Sequence, residues 1–295
     1  MDHKKIARLI STIENDPRSA AKILSELPTH RSKVIGFTGS PGVGKSSLID
    51  RVVKQIRAGD FSAAVIAVDP SSPFSMGAFL GDRIRMRQHF LDEKVFIRSI
   101  ASRGALGGLS DAVFDIVRLL ESVGFDYVLV ETVGVGQSET EISKLADVTV
   151  LILSPGFGDD VQMLKAGVME IADIYVVNKS DLPDSATLYS QLLAFASLAG
   201  KSESCICRTS AHLQHGVEEL LERIEKLWKE FDANGTLETR RKRRTKHHAE
   251  HILRKILQET IDKVQIETAD PYDFVRETMA RLCDLRSTIG QGGGT

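Results

Sequence analysis

The sequence predicts an α/β protein with a mainly parallel sheet covered by helices, and three observations carry that expectation. From Ser32 onward, short runs rich in Val and Ile alternate with longer stretches of helical periodicity. Most of those runs lack polar alternation, as strands buried on both faces do. Between the first run and the helix after it stands Gly39-Ser40-Pro41-Gly42-Val43-Gly44-Lys45-Ser46, the G-x-x-x-x-G-K-[ST] spacing of a phosphate-binding loop. The expected fold is a P-loop NTPase with helical N- and C-terminal extensions.

The elements follow in order. Ile6, Leu9, Ile10 and Ile13 recur at helical spacing, Asn15-Asp16-Pro17 interrupts them, and Ala20, Ile23, Leu24 and Leu27 resume the pattern up to Pro28. The expected strands are Val34–Thr38, Ala64–Val68, Val95–Arg98, Tyr127–Thr132, Val148–Leu153, Ile174–Asn178 and Cys205–Thr209. Asn234-Gly235 is a turn signal, and a long helix is expected from Thr236 to about Glu267, with Ile252, Leu253, Ile256, Leu257, Ile261 and Val264 as its apolar stripe. Asp270-Pro271 opens a last helix, and Gly290–Thr295 reads as a flexible tail. This gives an extension over residues 1–31, a P-loop domain over 32–233 and a helical arm over 234–295. The helical ends cannot form a core alone, so they pack on the P-loop domain or on a second subunit.

Composition removes several classes of function. The chain has 295 residues, 42% hydrophobic and 26% charged, and its formal net charge of −2 gives no overall attraction to nucleic acid or anionic membrane. No stretch approaches the roughly 20 apolar residues of a membrane span. Residues Met1 to Asn15 include Asp2 and Glu14 and no apolar block, so they read as neither secretory signal nor transit peptide. Three cysteines leave one unpaired in any scheme. A reduced, cytoplasmic setting is expected.

The chemistry is expected at the strand ends. In the glycine-rich loop, successive backbone N–H groups and the N-terminus of the following helix converge on phosphate oxygens. Lys45 reaches the β- and γ-phosphates, Ser46 binds Mg²⁺, and Ser47 extends the set along the first helical turn. Asn178-Lys179-Ser180-Asp181 resembles the N-K-x-D element that selects guanine, in which the Asp carboxylate accepts from N1–H and the 2-amino group. Thr209-Ser210-Ala211, followed by His212, resembles the loop whose backbone meets the guanine carbonyl. Asp69 and Glu131 stand at strand ends, where carboxylates face the ligand crevice and can hold Mg²⁺. Asp82 is a third candidate. Taken alone, Asp69 reads equally as a helix cap before Pro70.

Longer runs carry a more specific resemblance. Val68-Asp69-Pro70-Ser71-Ser72-Pro73, Gly81-Asp82-Arg83-Ile84-Arg85-Met86, Leu106-Gly107-Gly108-Leu109, Glu131 through Glu139 and Gly156 through Gly167 resemble the MeaB/ArgK family. These are SIMIBI-class P-loop GTPases that act as chaperones of adenosylcobalamin-dependent acyl-CoA mutases such as methylmalonyl-CoA mutase. The resemblance is dense from Ser32 to Trp228 and loose at both ends. It implies GTP and GDP as ligands with Mg²⁺, a homodimer, and a mutase partner that holds the cobalamin; the apolar stripe Ile252–Val264 points to the C-terminal arm as part of the dimer contact. The resemblance places the metal-side carboxylates at Asp69, Asp82 and Glu131. It also implies switch segments at about Asp69–Met86, Arg98–Leu109, Thr132–Glu139 and Gly156–Gly167, with Met76 departing from the family's usual Gly.

Ras-like GTPases place a water-orienting Gln directly after the Gly of this strand end. Here that position is Val135, so slow hydrolysis accelerated by a partner is expected. Gln137, Arg103 and Lys165 are the candidates for completing the site. The basic run Arg240–His248 lacks interleaved aromatics and reads as a solvated helix face or a contact to an acidic partner, not a nucleic-acid site. His247 and His251 lack the companions of a metal motif. Cys205 and Cys207 read as core thiols on one strand. Three other functions compete with this reading: a nickel-insertion GTPase of the same fold class, a regulatory kinase of a transport system, and a structural assembly protein whose nucleotide merely stabilises a dimer. Measured GTP turnover would separate the last. A nickel-insertion GTPase would carry a His-rich or Cys-Pro-Cys tract, which is missing. A regulatory kinase of a transport system would need a phosphoacceptor site, and nothing resembles one.

Overall fold

The computed structural model describes residues 2–28, 30–69, 86–101, 109–134, 138–156, 168–264 and 270–289. Seven strands form one parallel sheet: β1 Lys33–Thr38, β2 Ala63–Asp69, β3 Val95–Ala101, β4 Tyr127–Glu131, β5 Val148–Leu153, β6 Ile174–Val177 and β7 Ile206–Arg208. Their order is β3-β2-β4-β1-β5-β6-β7. The P-loop NTPase architecture expected from the sequence is therefore present.

Strand geometry explains the continuous apolar runs. Successive side chains point to opposite faces, and here both faces are covered. Ile35, Phe37, Leu129 and Val150 join one core with helix α3 (Lys45–Ala58) and Leu220 and Ile224 of helix α8 (Val217–Ala233). Val34, Ile66, Val128 and Val130 join the opposite core, against helices α1 (His3–Asn15), α2 (Pro17–Ser25), α4 (Asp111–Val123) and α5 (Ser138–Leu145). A third core sets Leu151, Leu153, Tyr175 and Val177 against α6 (Val168–Ile171) and α7 (Ser185–Leu198). Asp2 starts α1 by accepting from Lys5 N at 3.0 Å, and Ile6, Ile10 and Ile13 form its buried stripe.

Several boundaries differ from expectation by a residue or more, and three of them have a visible cause. β3 runs on past Arg98 because Ser99, Ile100 and Ala101 pair with Ala67, Val68 and Asp69. β7 starts at Ile206, since the Ser202 hydroxyl accepts from Ser204 N and winds Glu203–Cys205 into a 3₁₀ turn. Cys207 is thus buried, while Cys205 is only partly so. The long helix α9, Thr236–Ile261, stops before Glu267. Lys263 N and Val264 N bond to Thr260 O and Ile261 O, closing the end with tighter turns, and residues 265–269 lie outside the described set.

Contacts divide the chain into compact units at residues 1–243 and 244–295. In the first, the basic run begins with internal pairing. Arg240 makes a bidentate pair with Asp173 at 2.7 and 2.8 Å. Arg241 Nη2 and Nε reach Asp147 at 2.7 and 3.1 Å. Asp147 also accepts from Val34 N at 3.1 Å and Trp228 Nε1 at 3.3 Å, so this buried carboxylate ties the start of α9, α8 and β1 together. In the second unit, α9 ends and α10 (Pro271–Ile289) follows, with the Asp270 carboxylate accepting from Tyr272 N. Val264, Thr260 and Thr278 are buried there, and Leu253, Tyr272, Val275 and Met279 are exposed. No described helix is long and apolar enough to cross a membrane.

Removing one partner of a buried ion pair strands the other and its neighbours. Asp147→Ala is expected to destabilise the protein by about 3 kcal/mol, read as a lower urea midpoint. An unchanged midpoint would show that Arg241 and Val34 N are satisfied without it.

Candidate functional site

The phosphate-binding loop joins β1 to α3. Its helix begins at Lys45 with Gly44 as N-cap at φ 93°, a left-handed conformation that favours glycine. A Cβ there would lie 2.6 Å from Asn178 Nδ2, so space and torsion both require glycine. Val43 anchors the loop in the core, while Pro41, Gly42 and Ser47 are exposed. Lys45 is buried and donates to Gly39 O at 2.8 Å and Ser40 O at 3.2 Å.

The carboxylates stand on neighbouring strands. Glu131 ends β4 in register with Phe37 of β1 and Ala67 of β2, and Asp69 ends β2. The Ser46 hydroxyl donates to Glu131 Oε1 at 2.7 Å. Ser46, Asp69 and Glu131 are each nearly inaccessible to solvent. This is a set of hard oxygen donors beside a phosphate loop, which fits Mg²⁺. Asp69 is the last residue of β2, and residues 70–85, where a helix capped by it would begin, lie outside the described residues. Asp82, Arg103, Gln137 and Lys165 lie outside the described residues.

Two further features gather at Lys45. Gly134, at φ 87°, passes so close that a Cβ would sit 2.1 Å from Gly39 O and 2.8 Å from Lys45 Nζ. Glu139, in the first turn of α5, is buried; burial pushes its carboxyl above the ordinary 4.5, against the opposing pull of the Lys45 charge. In sequence Glu139 is only the last residue of the Glu131–Glu139 run, with no local signal of a role. Its proximity to Lys45 comes from the fold.

The Asn178–Asp181 element is built from β6 and β7. Asn178 follows β6 and is fully engaged. Its Nδ2 donates to Val43 O at 2.8 Å, while Oδ1 accepts from Thr209 Oγ1 at 3.1 Å and Ala211 N at 3.4 Å. Lys179, at φ 55°, donates to Gly42 O at 2.8 Å. Asp181 Oδ1 accepts from Ser210 Oγ at 2.5 Å. That bond leads the influences holding the Asp181 carboxyl below its usual range, and the charge of exposed His212 adds to them. A cleft of about 320 Å³ opens here, lined by Ser180, Asp181, Arg208, Ser210, Leu213 and His215. Arg208, Leu213 and His215 carried no sequence signal, because only the adjacency of β6 and β7 brings them to Asp181.

The sheet, the loop and these strand ends define a P-loop NTPase. The family model described as "Methylmalonyl Co-A mutase-associated GTPase MeaB" matches residues 6–267, and the chain belongs to that family. A candidate GTPase of Pyrococcus horikoshii is 42% identical over 282 residues, spanning 93% of this chain and 89% of that one. The Caenorhabditis elegans protein named methylmalonic aciduria type A homolog, mitochondrial, is 35% identical over 215 residues, which are 70% of this chain and 54% of its own length. The solved structure of an LAO/AO transport system kinase has a TM-score of 0.65 at 24% identity, over 95% of this chain and 93% of that one; this likeness shows the fold alone.

Glu139 supplies a pH test. Its native value lies above the unfolded 4.5, so ionising it costs the folded state stability. That cost is absent below the unfolded value and complete above the raised one. Glu139→Gln is expected to gain in Tm over the unsubstituted chain as pH rises from about 4 to about 8. A difference that stays constant with pH would contradict this.

Proposed function

We propose that the protein binds GTP with Mg²⁺, hydrolyses it slowly, and uses the change to gate cobalamin loading or protection in an adenosylcobalamin-dependent acyl-CoA mutase. The observation that carries the nucleotide reading is the Asn178 amide, which joins the phosphate loop to the Ser210–Ala211 loop beside Asp181. Membership of a family described as mutase-associated supports the partner.

In this reading the Gly39–Ser46 loop and Ser47 bind the phosphates, Lys45 neutralises charge on the β- and γ-oxygens, and Asp181 accepts from guanine N1–H and the 2-amino group. Ser46, Asp69 and Glu131, with Asp82, would hold Mg²⁺, which when bound neutralises charge on the phosphate oxygens. Water attacks the γ-phosphorus, its bond to the bridging oxygen breaks, and GDP and phosphate leave. Val135 cannot orient that water, so the docked mutase completes the site by placing Gln137, Arg103 or Lys165. The apolar faces of α9 and α10, with Leu253 64% and Tyr272 74% exposed, support a homodimer built on this arm.

Calorimetry is expected to give micromolar or tighter GTP and GDP binding and far weaker ATP binding. Asp181→Asn is expected to move the preference to xanthine nucleotides. Equal affinity for ATP and GTP in the unsubstituted protein would overturn the base assignment. Phosphate release alone should run far below the roughly 10 s⁻¹ typical of enzymes and rise with a cobalamin-dependent mutase. Fast turnover in isolation contradicts the gating reading, and unchanged stimulation in Gln137→Ala, Arg103→Ala and Lys165→Ala removes those three assignments. Light scattering at micromolar concentration should report two chain masses; one chain mass with and without nucleotide excludes the dimer.

A further inference from the structure

We infer that Arg51, on the helix that follows the phosphate loop, is a positioning residue for recognition of the guanine O6 carbonyl. The inference rests on the guanine reading above. Arg51 Nε donates to Ala211 O at 3.1 Å, across a sequence separation of 160 residues. A bond from a guanidinium to a carbonyl is charge-assisted and stronger than a neutral one. It fixes the plane of the 211–212 peptide, because a trans peptide is rigid and points its C=O and N–H in opposite directions, and no described peptide is cis. Gripping Ala211 O from α3 therefore turns the His212 N–H away from α3.

The other bonds of this loop leave that peptide to Arg51. Ser210 and His215 exchange backbone bonds at 3.0 and 3.1 Å, closing the turn at its base, and Leu213 N donates to Ser210 Oγ at 3.3 Å. Ala211 N reaches Asn178 Oδ1 at only 3.4 Å, at the long limit of a hydrogen bond. The Arg51 contact is thus the short, charge-assisted restraint on the segment whose N–H groups face O6 in this reading. Arg51 is itself held. Its side chain is 28% exposed, and Nη1 lies 4.0 Å from Asp50 Oδ2, which accepts from Gln88 Nε2 at 2.7 Å. Burial alone would raise the Asp50 carboxyl, but His89, whose Nε2 lies 3.2 Å from Asp50 Oδ1, and Gln88 outweigh it and hold the group below its ordinary value.

The test compares two nucleotides on the full chain. GDP carries O6; the diphosphate of 2-aminopurine riboside lacks O6 and N1–H, so each variant is read as its loss relative to the unsubstituted protein with the same nucleotide. Calorimetry with both is run on the unsubstituted protein, Arg51→Ala and Arg51→Lys, with thermal melting as the check on folding. Arg51→Ala is expected to weaken GDP by about tenfold, the scale of one lost hydrogen bond, and the 2-aminopurine nucleotide by less than about twofold. Arg51→Lys, which keeps a charged donor, is expected to recover most of the GDP affinity. Equal losses for both nucleotides would show that Arg51 merely supports the loop, and no loss for either would show that the contact is idle; both overturn the inference. ADP is measured on the unsubstituted protein as well; if GDP is not preferred to it, the guanine reading itself fails, separately from the Arg51 comparison.

Discussion

One amide organises this site. Asn178 donates to the phosphate loop at Val43 O and accepts from the base-side loop at Thr209 and Ala211. A buried side-chain amide is expensive to leave unsatisfied, so each loop is held by the cost of losing the other. Gly44 is the matching constraint, since any Cβ there would collide with the same amide. Lys179 adds a second link, to Gly42 O. The Gly39–Ser46 loop and the Thr209–Ala211 loop are therefore tied to each other directly, and Arg51 of α3 adds a link at Ala211 O.

The parallel sheet supplies the frame for these loops. Its strands are apolar on both faces and end together, so their polar terminal residues collect at one edge. Asp69 and Glu131 are buried there without joining the apolar cores, and Ser46 bonds to Glu131. Close approach is used throughout: Gly134 lets the segment after Glu131 lie against the phosphate loop, and Glu139 comes near enough to Lys45 for their charges to interact. Gly134 and Glu139 thus both bear on the surroundings of Lys45.

The helical end is attached by charge. Arg240 and Arg241 open a run that reads in sequence as a solvated basic face, yet both are spent on Asp173 and Asp147. Asp147 in turn holds Val34 N and Trp228. The first turns of α9 are thereby fastened to the sheet's own loops, and the apolar residues past Arg244 belong to a separate compact unit.

The sequence alone determined the seven strands, the phosphate loop and the Asn178–Asp181 element, because each is a local signal: apolar runs of strand length, glycines at fixed spacing, a polar tetrapeptide after a strand. It also placed Asp69 and Glu131 at strand ends, since position within a run is local information. Tertiary structure decided where those signals meet. Arg51 gripping Ala211, Glu139 beside Lys45, Arg208 and His215 facing Asp181, and Arg241 on Asp147 join residues distant in the chain, and no spacing rule encodes such pairs. Local competition moved the ends that periodicity misjudged, as when Ser202 wound Cys205 out of β7. Periodicity reports which faces are apolar; which polar groups satisfy one another is settled only when the faces are buried and every donor left inside must find an acceptor.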